Sequence, residues 1–372
     1  MSQFLYIGED TASYHLFFNG VSSSNSVPVV NWTDVKSVLP ADAVEKITSA
    51  NHIIFSRDID WKTLKIANLL IEYNIPYSYY ADDNYFIKKR IVPSQKVIQF
   101  LSCADAFITT TSAMNNYLKK MGSIQQKYIQ LDLDVFIPEK STPKKELSMQ
   151  TLNIGFLGTG KDDLYKDVIQ DLSDNLSCIK LNIYAPKLLC KLLRKKTIAD
   201  SITLIEFDFM KNYQEFIHTI KSFNLDFILQ PADLSDDNYQ FKNLNTLLLP
   251  YYCNCLIFFC DSPPYNKIKN QGLTELLTNS NAFSKKIIEI SNDNVKRMAL
   301  TESLFSFVEN SFSANNNIKK LQEHVRFRDE DSGQFTKKLE ELRFWRIEKM
   351  YNKYKRSLYR KFPAVFLAHP HK

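Results

Sequence analysis

Residues 239–265 read YQFKNLNTLLLPYYCNCLIFFCDSPPY. The stretch starts polar around Lys242 and Asn243, continues as an apolar helical body, becomes a buried-strand run at 256–260, and stops at Asp261 and two prolines. A helix feeding a strand without polar alternation belongs to a parallel sheet covered on both faces, because one-sided strands alternate apolar and polar residues.

The same pattern repeats outward from this stretch. Upstream, NIGFLG (153–158), KLNIYA (180–185), ITLIEF (202–207) and DFILQPA (226–232) read as strands, separated by helices near 162–175, 187–195 and 211–223. Residues 138–151, PEKSTPKKELSMQT, are polar, contain two prolines and lack apolar periodicity, so they read as a linker. Before the linker, strands are expected at FLYIG (4–8), VPVVNW (27–32), HIIFSR (52–57), YSYYA (77–81), AFITTT (106–111) and YIQLDL (128–133). Helical spacing places Leu64, Ala67, Leu70 and Ile71 on one face of 60–73, and Met114, Tyr117, Leu118 and Met121 on one face of 112–121. The expected fold class is α/β, with two Rossmann-like domains facing a central cleft. The boundaries are 1–137, the linker 138–151, 152–300, and a helical C-terminal extension at 301–372.

Composition agrees with a folded two-domain chain. Among 372 residues, 44% are hydrophobic and 24% charged, and 26 Phe with 19 Tyr supply bulky core material, which excludes large-scale disorder. The formal charge of +6 is concentrated at the end: residues 335–372 carry eleven Lys or Arg against three Glu, so the remainder is slightly acidic. There Phe344, Ile347, Tyr351, Tyr354, Leu358 and Phe362 recur at helical spacing, which predicts a basic amphipathic helix. Three readings of it stand: contact with an anionic membrane surface, packing back on the first domain, or a partner protein. Nucleic acid ranks last.

The N-terminus lacks a secretory pattern, and the longest apolar run, 247–260, is interrupted by Pro250 and Asn254, so a cytoplasmic chain without a membrane span is expected. Six cysteines without a CxxC pair read as reduced core thiols, and no metal site is expected. His15, His52, His218 and His324 have no partner pattern and read as structural.

In open α/β folds ligands bind outside the carboxyl ends of the strands. This singles out Gly8, Glu9, Asp10 and Arg57, the pair Asp82 and Asp83, the segment Thr109 to Thr111, the turn Gly158, Thr159, Gly160 and Lys161, then Tyr184, the segment Pro231 to Asp233, and the segment from Asp261 to Tyr265. A glycine turn before a helix lets backbone N–H groups approach a phosphate, although GFLGTGK also reads as a plain tight turn. Adjacent carboxylates suit a general base, and they equally suit capping of the loop after the strand.

Several ordered segments carry a resemblance. SRDIDWKTLKIANLLIEYNIPYSYYADDN, CADAFITTTSAMNNYLKKMG and YIQLDLDVFIP, then NIGFLGTGKDDLYKDVIQDL, FNLDFILQPADLSDDNYQFKN and DSPPY, together resemble bacterial GT-B-fold glycosyltransferases over about residues 50–270. The resemblance implies a nucleotide-sugar donor on the second domain, an acceptor mainly on the first, and no bound metal or cofactor. It implies donor contacts from Gly158, Thr159, Gly160, Lys161, Lys242, Asn243, Asp261 and Tyr265, with Lys242 and Lys161 facing the diphosphate. Plain surface lysines are the other reading of those two. It further implies acceptor contacts from Glu9, Asp10 and Arg57, and a catalytic role for Asp82 or Asp83.

The chain departs from the family in one respect. Phe241 and Leu249 stand where such enzymes often carry two acidic residues, Asn254 stands at a glycine and Leu256 at a proline, and Leu249 cannot accept a hydrogen bond from a ribose. Either another residue, such as Asp261 or Asp233, takes that role, or donor binding is altered or lost. The function expected is transfer of a sugar to a polysaccharide or lipid-linked glycan at the cytoplasmic face of the membrane. The alternative is a non-catalytic binding or assembly subunit of the same fold.

Overall fold

The computed structural model describes residues 4–9, 12–18, 27–32, 34–57, 59–84, 94–121, 127–131, 147, 150–158, 162–195, 198–208, 210, 212–242, 244–312, 317–328 and 333–342. The first sheet contains β1 (Phe4–Gly8), β2 (Val29–Asn31), β3 (His52–Ser56), β4 (Tyr77–Ala81), β5 (Ala106–Thr109) and β6 (Lys127–Gln130). The second contains β7 (Thr151–Gly155), β8 (Lys180–Pro186), β9 (Ile202–Phe207), β10 (Phe227–Gln230), β11 (Leu256–Cys260) and β12 (Leu277–Thr278). Both are six-stranded, in the orders β2-β1-β3-β4-β5-β6 and β12-β11-β10-β7-β8-β9. Every pairing is parallel. The strand order reverses between β1 and β3 in one sheet and between β7 and β10 in the other, and such switch points open ligand crevices at the carboxyl ends.

The helices beside the first sheet are α1 (Ala12–Phe17), α2 (Ala41–Ser49), α3 (Trp61–Glu72), α4 (Gln95–Cys103) and α5 (Ser112–Met121). Those that follow are α6 (Asp162–Asn175), α7 (Lys187–Leu193), α8 (Tyr213–Ser222), α9 (Leu248–Cys253), α10 (Asn266–Lys269), α11 (Ser284–Ser291), α12 (Asn294–Ser311), α13 (Asn317–His324) and α14 (Gln334–Glu340). Asp60 caps α3 by accepting from the Thr63 N–H, and Ser94 caps α4 through Val97. Strands β1, β3, β4, β5, β10 and β11 are buried throughout, as their unbroken apolar runs require.

The opening stretch is organised differently from a single helix. Residues Asp237–Phe241 and Asn245–Leu247 form 3-10 turns, and only Leu248–Cys253 is α-helical. Pro250 near the helix start and Asn254, in the left-handed region at φ 55°, bound the α-helical part. Asn is the non-glycine residue best suited to that conformation, which accounts for Asn254 at a glycine position.

One apolar cluster runs through both sheets. It contains Phe4, Tyr6, Ile54 and Tyr80 of the first sheet, Leu16 and Phe17 of α1, and Leu152, Ile154 and Phe258 of the second sheet. A separate cluster on the first sheet includes Phe55, Ile66, Leu70 and Phe107, and it also contains Phe241, Phe335 and Leu339. The chain therefore returns to the first sheet after α12. The Asn317 amide donates to the Phe17 carbonyl, and α13 lies against β6. The following strap crosses to His52, Asn51 and Thr48, and α14 packs on α2 and α3. The aromatic stripe at 344–362, like nearly all of the linker 138–151, lies outside the described residues.

None of the six cysteines forms a disulfide. Cys190, Cys253, Cys255 and Cys260 are buried as expected, whereas Cys103 and Cys178 are exposed and are not core thiols.

Candidate functional site

At the carboxyl end of β1, Gly8 lies so close to β3 that an added Cβ would stand 2.7 Å from the Ser56 Cβ and 2.9 Å from the Tyr6 ring. Only glycine fits there. The buried Tyr6 hydroxyl donates to Ser56 Oγ at 2.6 Å, and burial raises its pKa. Glu9 follows, exposed.

Arg57, one residue beyond β3, has φ 60°, a conformation rare for a non-glycine residue and frequent at functional sites. The Tyr79 hydroxyl donates to the Arg57 carbonyl at 2.7 Å, and the Arg57 N–H donates to the Tyr80 carbonyl. The guanidinium makes two bonds to Asp82, Nε to Oδ1 at 3.1 Å and Nη2 to Oδ2 at 2.7 Å. Backbone and side chain are thus both fixed toward the end of β4.

Asp83 is held differently. Lys242, from the loop after β10, donates to both of its oxygens at 2.7 and 2.8 Å. The two adjacent carboxylates are therefore paired with different cations, Asp82 with Arg57 and Asp83 with Lys242. Next to Lys242, Phe241 is buried and packs edge-on against Tyr117 of α5 with ring centroids 5.6 Å apart. A loop of the second sheet is in this way anchored on the first, and the carboxyl ends of the two sheets meet at Asp83 and Lys242.

In the second sheet, Gly158 follows β7 at its switch point. Its N–H points to the Tyr165 hydroxyl at 3.2 Å, and that hydroxyl donates to the Leu229 carbonyl. This amide is engaged within the fold. Thr159, Gly160, Lys161, Asn243 and Asp10 lie outside the described residues. Asp261 pairs with Lys269 at 2.7 Å. Tyr265 is buried against Phe259 and shares a hydrogen bond with Thr246, and burial pushes its pKa up to about 12. Asp233 accepts from the Ser235 N–H and hydroxyl, which hold its pKa down. Leu249 is buried in the core.

Pro263 and Pro264 bring no N–H, and the Asp261 and Tyr265 amides are spent on the Thr278 and Ser262 carbonyls. The Ser262 hydroxyl after β11 and the Thr110 hydroxyl after β5 are buried without a hydrogen-bond partner among the described residues. Such groups are uncommon in folded proteins. Sequence reading names Ser262 and Thr110 only within longer strand-end segments, and it misses Tyr79, Tyr165 and Lys269, whose roles depend on long-range contacts. Among the described residues no group of three or more His, Cys, Asp or Glu could hold a metal ion.

No protein-family model and no curated protein matches the chain. Solved structures do. Anabaena HepE in complex with UDP and glucose is 10% identical, with a TM-score of 0.56 over 87% of this chain and 98% of that one. HepE in complex with UDP-glucose is 11% identical, also with a TM-score of 0.56, over 92% of this chain and all of the other. TarM of S. aureus is 12% identical, with a TM-score of 0.50 over 73% of this chain and 54% of that one. The fold is GT-B. At such identities the likeness is one of fold, and it is the fold that the resemblance implies.

Proposed function

We propose that the protein transfers a sugar from a nucleotide-sugar donor to a glycan acceptor, either a polysaccharide or a lipid-linked glycan. The observation that carries this reading is the meeting of Lys242 with Asp83 where the carboxyl ends of two parallel sheets come together. HepE, similar in fold, is in complex with UDP and glucose.

In such a reaction an acceptor hydroxyl oxygen bonds to the anomeric carbon as the bond from that carbon to the diphosphate oxygen breaks, and the electron pair departs with the diphosphate. Lys242 stabilises the negative charge that develops on the leaving group. In an inverting course Asp83 takes the acceptor proton. Asp82 is bound through both oxygens to Arg57, so it positions Arg57, which with Glu9 faces the acceptor. No helix among the described residues is long and apolar enough to cross a membrane. The proposed place of action is the inner face of the cell membrane, in surface polysaccharide assembly of the O-antigen or capsule type, with residues 335–372 against anionic lipid. Liposome flotation with and without 335–372 tests that placement, and equal flotation of both forms contradicts it.

Titration with a panel of nucleoside diphosphates and nucleotide sugars tests the main reading. At least one is expected to bind saturably, and Lys242→Met is expected to weaken it about tenfold or more, as loss of a charge-assisted contact does. Absence of binding at millimolar ligand overturns the reading. A second reading, a non-catalytic subunit of the same fold, is favoured by the burial of Phe241 and Leu249 where the family often places acidic residues. It predicts binding without turnover.

A further inference from the structure

We infer that Asp83 is an internal competitor for the anionic ligand of Lys242, so that ligand binding exchanges one anion for another on a single ammonium group. The inference rests on the reading of Lys242 as the diphosphate contact. Lys242 donates to both Asp83 oxygens, at 2.7 and 2.8 Å, and so spends two of its three N–H bonds on one carboxylate. The lysine side chain is 38% exposed and the Asp83 side chain 12%, so the lysine is the more open partner of the pair. The lysine backbone is not at liberty to swing away. Its N–H donates to the Tyr239 carbonyl, and the preceding Phe241 is buried against Tyr117 in the apolar cluster of the first sheet. A diphosphate therefore has to come to Lys242 where it stands, beside a carboxylate of its own sign.

The chain supplies its own control. Asp82, one residue earlier, carries the same charge, but its carboxylate is bound to Arg57 and not to Lys242. A general reduction of negative charge near the cleft would act through both residues alike, whereas competition for Lys242 acts through Asp83 alone.

The test is calorimetric titration of the full chain with UDP as probe, for the wild type and for Asp83→Asn, Asp82→Asn, Lys242→Met and the Asp83→Asn/Lys242→Met double variant. Asp83→Asn is expected to tighten UDP about tenfold and Asp82→Asn by no more than about twofold. In the Lys242→Met background the gain from Asp83→Asn should shrink to the size seen for Asp82→Asn. Equal tightening by the two Asn variants, or weaker binding by Asp83→Asn, overturns the inference and leaves the donor site standing. If neither the wild type nor Asp83→Asn binds any nucleoside diphosphate, the donor-site reading falls and the inference falls with it. Thermal melts accompany each variant, and Asp83→Ser repeats the measurement should Asp83→Asn fold poorly.

Discussion

Phe241 and Lys242 are neighbours with different tasks. Phe241 fills a place in the first sheet's apolar cluster, and Lys242 presents its ammonium group to Asp83. The sequence identifies the lysine through its place in an ordered set of segments. It does not show that Phe241 docks on Tyr117, because nothing local in YQFKN distinguishes an exposed aromatic from one buried against a distant helix. Leu249 shows the converse case. Its chemistry excludes a ribose contact from the letters alone, and the structure adds that it is core. Leu249→Asp is therefore expected to lower stability by about 3 kcal/mol or more without improving nucleotide affinity, read by denaturant unfolding and by titration. His52 offers a pH test. Its Nδ1–H donates to the Arg326 carbonyl, Ser78 Oγ lies 2.8 Å from Nε2, and burial lowers its pKa from 6.5 to about 4. The unfolded chain binds this proton near pH 6.5 and the folded chain only near pH 4. Stability is thus complete above pH 6.5 and falls as the pH drops toward 4, by about 3 kcal/mol in all. Urea unfolding between pH 7 and 4 should show this loss, and His52→Gln should flatten it.

At the scale of elements, the buried strands are legible because a two-sided apolar run admits few other readings, and their observed ends differ from the sequence reading by a few residues. The 3-10 turns before α9 are less legible. Their residues share helical spacing, and the choice between an α-helix and successive tight turns is made by tertiary contacts. The strap at 325–328 shows how contacts far apart in sequence secure an element that has no regular structure of its own. Asp105 accepts from both the N–H and the Nε of Arg326, and Phe327 packs on Phe4 and His52. The Asp105 side chain is 7% exposed and that of Arg326 61%. Asp105→Ala leaves a backbone N–H without its acceptor and should cost about 2 kcal/mol, whereas Arg326→Ala, which removes an exposed partner, should cost less than about 1 kcal/mol. Denaturant midpoints of the two variants check the order.

For the whole molecule, two sheets with separate switch points share a continuous apolar cluster, and the chain returns to the first sheet after completing the second. A large apolar interface opposes independent motion of the two halves. A single calorimetric unfolding transition is expected, and two resolved transitions would contradict the shared core. The sequence order βα repeated on either side of a polar linker predicts two sheets, but it cannot reveal that their cores join, since that depends on contacts between residues far apart in the chain. In the proposed reaction the junction of the two sheets at Asp83 and Lys242 receives a nucleotide sugar. A crystal structure after soaking with a nucleotide-sugar mixture tests it most directly. A ligand is expected at the carboxyl ends of β7 and β10 with its diphosphate within about 4 Å of Lys242 Nζ. A ligand bound elsewhere, with the Lys242 and Asp83 pair intact, would contradict it.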